Sequence, residues 1–136
     1  EETCRTKVGT NMTVNYTGTL IPWVAGEYQQ TSHICNGKQT YQNTSSDCMA
    51  VNPSGCAIFY DSWNKWRIGS GDRLTDCQNS AGTLVDWIAG STAHCDSPAG
   101  AECDQYFNEH GSGGWGLSSV NIVRSGEYNW GGRRIL

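Results

Sequence analysis

The stretch EYQQTSHICNGKQTYQ, residues 27–42, carries the strongest fold signal in this chain of 136 residues. Two runs that can form strands, Glu27 to Cys35 and Lys38 to Gln42, flank the dipeptide Asn36-Gly37. A type I′ turn needs positive φ at both central residues, which Asn and Gly tolerate best, so this pattern is typical of a β-hairpin. We therefore predict two paired strands with their turn at residues 36 and 37.

A second hairpin is predicted further along the chain. Ala57-Ile-Phe-Tyr60 and Lys65-Trp-Arg-Ile68 are joined by Asp61-Ser-Trp-Asn64. Because side chains alternate between the two faces of a strand, one face receives Ile58, Tyr60, Trp66 and Ile68, which we expect to point inward. Trp63 is then left near the tip of the hairpin.

The composition of the whole chain favours strands over helices. It has 17 Gly, 6 Trp, 6 Tyr and 2 Phe, with little helical periodicity. We expect further strands from Thr83 to Ile88 and from Ser118 to Val123, a loop-like region from Ala89 to Gly116, and one helical turn within Glu102 to Glu109. Trp66, Trp87 and Trp115 are expected in the core. The predicted fold is all-β, a small disulfide-stabilised antiparallel sandwich or barrel with an extended N-terminal strand.

The N-terminal segment alternates over a long distance. From Val8 to Leu20 the even positions are mostly apolar and the odd positions are polar. Thirteen extended residues span about 43 Å, whereas a compact domain of this length is about 37 Å across. Such a strand must bend at Gly9 or Gly18, pass between two sheets, or extend beyond its own globule. We therefore predict an N-terminal arm or strand, residues 1–20, followed by a single β domain, residues 21–136.

Cysteines and sequons indicate an oxidising, extracellular setting. The chain has 7 Cys, and the sequons for N-glycosylation begin at Asn11, Asn15 and Asn43. Cys48 and Cys56 bracket a turn containing Pro53, and Cys95 and Cys103 bracket a turn containing Pro98, so we predict both pairs as disulfides. For the remaining cysteines we favour a bond between Cys35 and Cys77, which leaves Cys4 for a bond to another chain.

The order of several short motifs resembles a known module. These motifs are Tyr16-Thr-Gly18, Gly26-Glu-Tyr28, Asn36-Gly-Lys-Gln-Thr-Tyr41, Ile58-Phe-Tyr60, Trp66-Arg-Ile-Gly69 and Gly114-Trp115. The chain resembles an extracellular β repeat module of algae, diatoms, oomycetes and other aquatic unicellular eukaryotes. The resemblance implies a β fold and an extracellular or cell-surface location, and it brings no catalytic residue. The cysteine-containing segments 48–56 and 95–103 and the N-terminal arm are departures from the pattern.

Charge and motif spacing argue against several classes of function. The net charge is −4 and no basic run is present, so nucleic acid is not an expected partner. No apolar stretch reaches the length of a transmembrane helix, so membrane insertion is not expected. Neither a catalytic triad nor a cofactor or metal motif is predicted, and we expect no enzyme. The candidates considered and set aside are His33, His94, His110, Cys95 and Cys103 for zinc, and Asp96, Glu102, Asp104 and Glu109 for calcium.

The preferred functional hypothesis is a secreted, N-glycosylated structural subunit of an extracellular filament, matrix or surface appendage. In it the N-terminal strand adds to an open sheet edge of the next copy, giving head-to-tail assembly. The residues predicted to make this contact between subunits are Cys4, Val8, Met12, Val14 and Tyr16. In the simpler alternative this segment is an ordinary first strand of its own sheet.

The rival hypothesis is a carbohydrate-binding module. Trp63 would stack on a sugar ring, with Asp61, Asn64, Tyr128 or Trp130 supplying polar contacts or further rings, and Trp23 is a second candidate for stacking. The alternative for Trp63 is that its indole folds back over Lys65 or the next strand. A secreted enzyme or inhibitor would need a convergent polar pocket, which the sequence does not indicate.

Overall fold

A computed structural model describes residues 11–77, 87–92, 94–102, 105–111, 114–117 and 120–125, and the architecture in these ranges is mostly strand. The strands are β1 Met12–Tyr16, β2 Gly26–Cys35, β3 Lys38–Asn43, β4 Cys56–Tyr60, β5 Trp66–Ser70, β6 Ile88–Gly90, β7 Phe107–Gly111, β8 Gly114–Leu117 and β9 Val120–Arg124. Two short helices, α1 Ser46–Val51 and α2 Arg73–Asp76, and two 3-10 turns, Pro22–Val24 and Gly100–Glu102, lie between strands. The all-β prediction is confirmed.

The strands form one antiparallel sheet in the order β8-β7-β6-β5-β4-β3-β2-β1-β9. Each strand from β1 to β8 pairs with its chain neighbour, and β9 pairs with β1 instead of β8. The last residue of β8 and the first of β9 are three peptide units apart, so these two edge strands are at most about 11 Å apart at that point. The sheet therefore curls into a nearly closed barrel.

Side-chain alternation divides the apolar residues between the inside of the barrel and a smaller outer cluster. Interior side chains from all around the sheet form the main core, among them Tyr28, Ile58, Trp66, Ile88, Phe107 and Ile122. On the outer face of β4, Ala57 and Phe59 pack with Leu74 of α2 and with Cys35. The helix α2 thus covers the apolar outer side chains of β4.

Both predicted hairpins are present. At the β2–β3 turn Asn36 and Gly37 have φ of 51° and 83°, as a type I′ turn requires. In the β4–β5 hairpin Ile58 pairs with Ile68 and Tyr60 with Trp66, and all four side chains are buried. The predicted inward set of the second hairpin is therefore confirmed.

The strand β1 lies inside the sheet of its own chain. It pairs with β2 on one side and with β9 on the other, and Met12 and Val14 are fully buried. Tyr16 packs against the same core, and its hydroxyl donates to Glu109 Oε2 at 2.8 Å. The prediction that Met12, Val14 and Tyr16 contact a neighbouring copy is therefore wrong for this fold, because these side chains already have partners within the chain.

The predicted strand from Val8 to Leu20 ends at Tyr16, close to Gly18, one of the two positions where a bend was expected. After Tyr16 the chain turns back, and the backbone N–H groups of Leu20 and Ile21 donate to the Tyr16 hydroxyl at 3.2 and 3.3 Å. Gly18 lies against the Tyr16 ring, where a Cβ would collide with the hydroxyl. Val8 and Cys4 lie outside the described residues, so an N-terminal arm could only consist of residues before β1.

The prediction for the region from Ala89 to Gly116 is wrong in two respects. This region contributes β7 and β8, which were expected to be loop, and within the predicted helical turn the described residues 105–109 are not helical. A 3-10 turn lies at Gly100–Glu102, and further on Phe107 enters the barrel core while Tyr106 points outward. This alternation over few residues gives too weak a period for recognition from sequence.

Two of the three predicted disulfides can be compared with the structure. The disulfides Cys35–Cys77 and Cys48–Cys56 are confirmed, with Cα separations of 5.2 and 5.5 Å. Cys95 is also in a disulfide, and its partner lies outside the described residues, as do both Cys4 and Cys103. The pairing of Cys95 with Cys103 and the availability of Cys4 stay predictions.

The tryptophans expected in the core differ in burial. Trp66 is 1% exposed, and its Nε1 donates to the Cys95 carbonyl at 2.8 Å. Trp87 is partly buried against the core, while the Trp115 side chain lies outside the described part of the structure. In the ranges that the structure describes, no helix has the length and apolar character needed to cross a membrane.

Candidate functional site

The loop at the tip of the β4–β5 hairpin, Asp61-Ser-Trp-Asn-Lys65, is held from within by Asp61. The Asp61 Oδ1 accepts hydrogen bonds from the backbone N–H groups of Trp63 at 2.9 Å and Lys65 at 3.0 Å. The Asp61 backbone N–H donates to the Lys65 carbonyl at 2.9 Å, which closes the loop. Asn64 supplies the positive φ of 63° that the tight turn needs, a conformation that Asn adopts more readily than most residues. The backbone on both sides of Trp63 is therefore fixed.

Beneath this loop Asp61 forms a buried ion pair with Arg67. The Arg67 Nε donates to Asp61 Oδ2 at 2.6 Å, and the two side chains are 8% and 0% exposed. A buried carboxylate is tolerated only when it is paired and hydrogen-bonded, and Asp61 accepts three hydrogen bonds. Asp61 is thus committed to supporting the loop, and the prediction that it contacts a sugar directly is wrong.

Trp63 remains open to solvent although its surroundings are rigid. The Arg67 guanidinium lies over the indole, with 5.8 Å between its carbon and the ring centroid. Despite this contact 64% of Trp63 is exposed. The alternative prediction, that the indole folds back over Lys65 or the next strand, is confirmed in one respect: the indole lies against Arg67 of β5. Most of the indole surface therefore remains open to solvent.

Two further segments extend the surface around Trp63 across the outer face of the barrel. The Lys65 Nζ donates to the Ser91 carbonyl at 3.3 Å, the Ser91 N–H donates to the Tyr106 carbonyl at 2.8 Å, and the Tyr106 N–H donates to Ser91 Oγ at 3.0 Å. Lys65, Ser91 and Tyr106 thus continue the β5–β6–β7 pairing beyond the strand ends. Since neighbouring strands are about 4.8 Å apart, Lys65 and Tyr106 are separated by about 10 Å.

Tyr106 adds a second exposed ring to this row. Its side chain is 60% exposed because the next residue, Phe107, takes the inward position. The loop that carries Ser91 is tied to the hairpin tip by a hydrogen bond from the His94 N–H to the Asn64 carbonyl, 3.3 Å long. We refer to the surface made by Trp63, Lys65, Ser91 and Tyr106 as the rim patch. It is a shallow surface, long enough for more than one sugar ring.

Sequence reasoning found only part of the rim patch. Trp63 was identified from its position at a hairpin tip, but Lys65, Ser91 and Tyr106 were not. The alternation of Tyr106 with Phe107 could have indicated an exposed ring, had the strand β7 been recognised. Tyr128 and Trp130, which were considered as further rings, lie outside the described residues.

Trp23 does not present a comparable surface. Its ring packs edge-on against Trp87, with centroids 5.8 Å apart and an interplanar angle of 82°. It also packs against the main core, and its Nε1 is buried. The prediction that Trp23 stacks on a ligand is therefore wrong, because the indole is part of the packing that closes the barrel.

The three sequons differ in accessibility. Asn15 is exposed on the polar face of β1, whereas Asn11 is half-buried, and its amide donates to Glu27 Oε2 at 3.3 Å. Asn43 is 4% exposed and its Nδ2, the atom that a glycan would modify, is buried. The prediction of a glycan on Asn43 is thus incompatible with this packing.

The acidic residues considered for calcium have separate partners. Asp96 pairs with Lys38 at 2.8 Å, Glu102 forms a two-point ion pair with Arg124, and Glu109 accepts from Tyr16. The hydrogen bonds from Arg124 hold the pKa of Glu102 below its usual range, and those from Lys38 do the same for Asp96. Each of these three carboxylates is paired with, or accepts a hydrogen bond from, a neighbouring side chain. The three do not converge on one point.

The rim patch is interpreted from its own geometry, because no known relative assists. Comparisons with protein-family models, with curated proteins and with solved structures found no match to this chain. The resemblance to an extracellular β repeat module therefore stays a prediction. Its expected β fold agrees with the observed sheet.

Proposed function

We propose that this chain is a secreted β-barrel domain that binds carbohydrate through the rim patch. The observation that carries the proposal is the combination of a 64% exposed Trp63 indole with a backbone fixed on both sides by Asp61. A large ring at a loop tip gains little burial in its own fold, so an indole held on a rigid support favours a contact with a ligand. A fixed ring also loses little conformational freedom on binding.

The chemistry of the rim patch suits a sugar better than a large protein partner. An indole and a phenol offer flat apolar faces, and the neighbouring Ser91 and Lys65 offer polar atoms for hydroxyl groups. Stable protein interfaces bury roughly 800 Å² on each partner around an apolar centre. The rim patch combines only two exposed rings with polar neighbours, so a polysaccharide chain lying along the row is the better fit.

Two observations support the secreted location in this proposal. Cys35–Cys77, Cys48–Cys56 and the oxidised Cys95 are of the kind that persists outside the reducing cytosol. Asn15, the first residue of its sequon, is exposed on β1, so a glycan at this position is compatible with the fold. Both features are expected of an extracellular domain.

We rank carbohydrate binding above filament assembly. Assembly through the N-terminal strand would need free apolar side chains, but Met12 and Val14 are fully buried in the core of their own chain. A contact made by residues before β1, including Cys4 and Val8, stays a prediction. The barrel itself needs no strand from a neighbour to fill the position of β1.

Retention on immobilised polysaccharides tests the proposal. The wild-type domain should be retained on at least one polymer, and Trp63→Ala should weaken that binding by roughly thirtyfold, since truncating an aromatic hot spot costs about 2 kcal/mol. Leu20→Ala is the matched control, because Leu20 is also exposed, at 61%, but lies away from the rim patch. Equal retention of wild type and Trp63→Ala would contradict the proposal, as would failure to bind any polymer.

The same samples separate binding from assembly. We expect sedimentation to show a monomer that retains its ligand, with or without residues 1–10. The filament hypothesis would be favoured by two results together: the full chain forms filaments that disappear when residues 1–10 are deleted, and the protein is not retained on any polysaccharide.

A further inference from the structure

We propose that the rim patch selects acidic polysaccharides built from uronic acids, with Lys65 pairing with the sugar carboxylate. This inference rests on the proposed function, because it names the ligand class for the same site. It is carried by the charge balance around Trp63.

The two cations near the hairpin tip, Arg67 and Lys65, differ in whether a carboxylate neutralises them. Arg67 is neutralised by the buried Asp61, with 2.6 Å between Nε and Oδ2. The Lys65 ammonium has three donors, and the structure shows one of them directed to the Ser91 carbonyl. No carboxylate among the described residues lies within ion-pair distance of Lys65. Among the described residues, the rim patch therefore carries one half-buried lysine whose charge has no carboxylate partner.

Lys38 provides an internal comparison at the same end of the barrel. Its Nζ lies 2.8 Å from Asp96 Oδ1 and 5.3 Å from the centroid of the Tyr60 ring, so its charge already has partners. Lys38 and Lys65 thus differ in what they can offer a ligand. Only Lys65 combines a cation without a carboxylate partner with an adjacent open indole.

The position of Lys65 relative to the rings suits a charged sugar. Lys65 and Arg67 share the outer face because side chains two residues apart on a strand point the same way. Trp63 lies over Arg67, so its indole is beside Lys65, and Tyr106 lies two strand spacings away, about 10 Å. A sugar ring stacked on Trp63 would bring a ring carboxylate within reach of the ammonium, while the next part of the polymer meets Tyr106.

A uronic acid is favoured over a heavily sulfated sugar by the number of cations. Sulfated chains with several charges per unit are recognised by clusters or runs of basic residues, and the sequence has no such run. The net charge of −4 opposes long-range attraction of any polyanion, and does so more strongly the more charges the polymer carries per unit. A single lysine beside a single ring matches a polymer that carries one carboxylate per sugar.

The test compares polygalacturonate with the same polymer after full methyl esterification, which removes the charge and keeps the sugar backbone. We expect the wild-type domain to bind the acid form about fivefold more tightly at low salt, corresponding to an exposed ion pair of about 1 kcal/mol. This preference should shrink at high salt because the pair is screened. Lys65→Met should remove the preference and Lys38→Met should leave it unchanged.

The outcomes distinguish this inference from the proposed function. If acid and ester forms bind equally and both are lost in Trp63→Ala, carbohydrate binding stands and the uronic-acid assignment is overturned. Tighter binding of dextran sulfate than of polygalacturonate also overturns that assignment. If none of these polymers, nor any neutral polysaccharide, is bound, both proposals fail. Thermal unfolding of each variant shows whether a loss of binding reflects loss of the fold.

Discussion

The tips of the β2–β3 and β4–β5 hairpins lie at the same end of the barrel, and they are held in different ways. The first is a two-residue turn, where Asn36 Nδ2 donates to the Tyr60 carbonyl at 2.8 Å and Cys35 is tied to Cys77. The second is a five-residue loop around the buried Asp61 carboxylate, and it presents Trp63 to solvent.

The two hairpins differ in what their fixed groups do. Those of the first stabilise the barrel, and those of the second hold an exposed side chain in position. In the first hairpin, the Asn36 side chain donates to the backbone of β4, and the Cys35–Cys77 disulfide packs on the outer cluster that contains Phe59. Both interactions stabilise the barrel. In the second, the interactions of Asp61 fix a ring that contributes little to the core. A loop in which a buried ion pair holds an exposed indole in place is expected to bind a ligand. The first hairpin should therefore matter for folding and the second for folding and binding.

The largest expected effect is on the disulfide that ties the first hairpin. In the double variant Cys35→Ser with Cys77→Ser, the free energy of unfolding should fall by about 4 kcal/mol, because a cross-link over 42 residues strongly restricts the unfolded chain. Urea denaturation measures the loss. The control, Cys48→Ser with Cys56→Ser, closes only 8 residues and should lose about 2.5 kcal/mol. Equal losses would contradict this account.

Breaking the ion pair under the second hairpin should come next. Asp61→Asn keeps the side-chain shape but leaves Arg67 buried without its carboxylate, which should cost about 3 kcal/mol. Unlike the disulfide variant, it should also weaken polysaccharide binding by the molecules that remain folded, because the loop around Trp63 loosens. Asp96→Asn, which breaks the exposed pair with Lys38, is the control and should change neither property. If both Asp variants behave alike, the special role of Asp61 is refuted.

The first hairpin turn should show a smaller effect. Asn36→Ala places a residue with a Cβ at φ of 51° and removes the hydrogen bond to Tyr60, so the free energy of unfolding should fall by about 1–2 kcal/mol. Asn36→Gly relieves the backbone strain and should recover part of the loss. Polysaccharide binding should be unaffected in both, and a binding defect in Asn36→Gly would break the proposed division between the hairpins.

The strands that the sequence predicts best are those whose signals are local. The turn at Asn36 and Gly37, the inward set around Trp66 and the Cys48–Cys56 bridge all follow from residues close in the chain. β7 and β8 were missed, because short strands near glycines show little alternation. For β1 the sequence offered a bend at Gly18 only as one of several alternatives, because the packing of Gly18 against Tyr16 is a contact that no strand pattern encodes.

The rim patch was predictable only at Trp63, for a related physical reason. A hairpin tip is a local feature, so an exposed ring there is visible in the sequence. The neighbours Ser91 and Tyr106 are 28 and 43 residues further along, and they reach Trp63 only through the pairing of β5, β6 and β7. Asp61 was assigned to the ligand because sequence does not reveal that Arg67 and two backbone N–H groups occupy its carboxylate.

The smallest expected effect on stability is at Trp63 itself, and it is the sharpest test of the comparison. Trp63→Ala should change the free energy of unfolding by no more than about 0.5–1 kcal/mol, since it removes only an exposed ring and its contact with Arg67. Trp66→Ala, three residues away but 1% exposed, should cost about 3–5 kcal/mol. Denaturant titrations of the two variants give both values. A fall of more than about 2 kcal/mol in the free energy of unfolding of Trp63→Ala would mean that the indole stabilises the fold by covering the Asp61–Arg67 pair. The second hairpin would then be a structural element like the first.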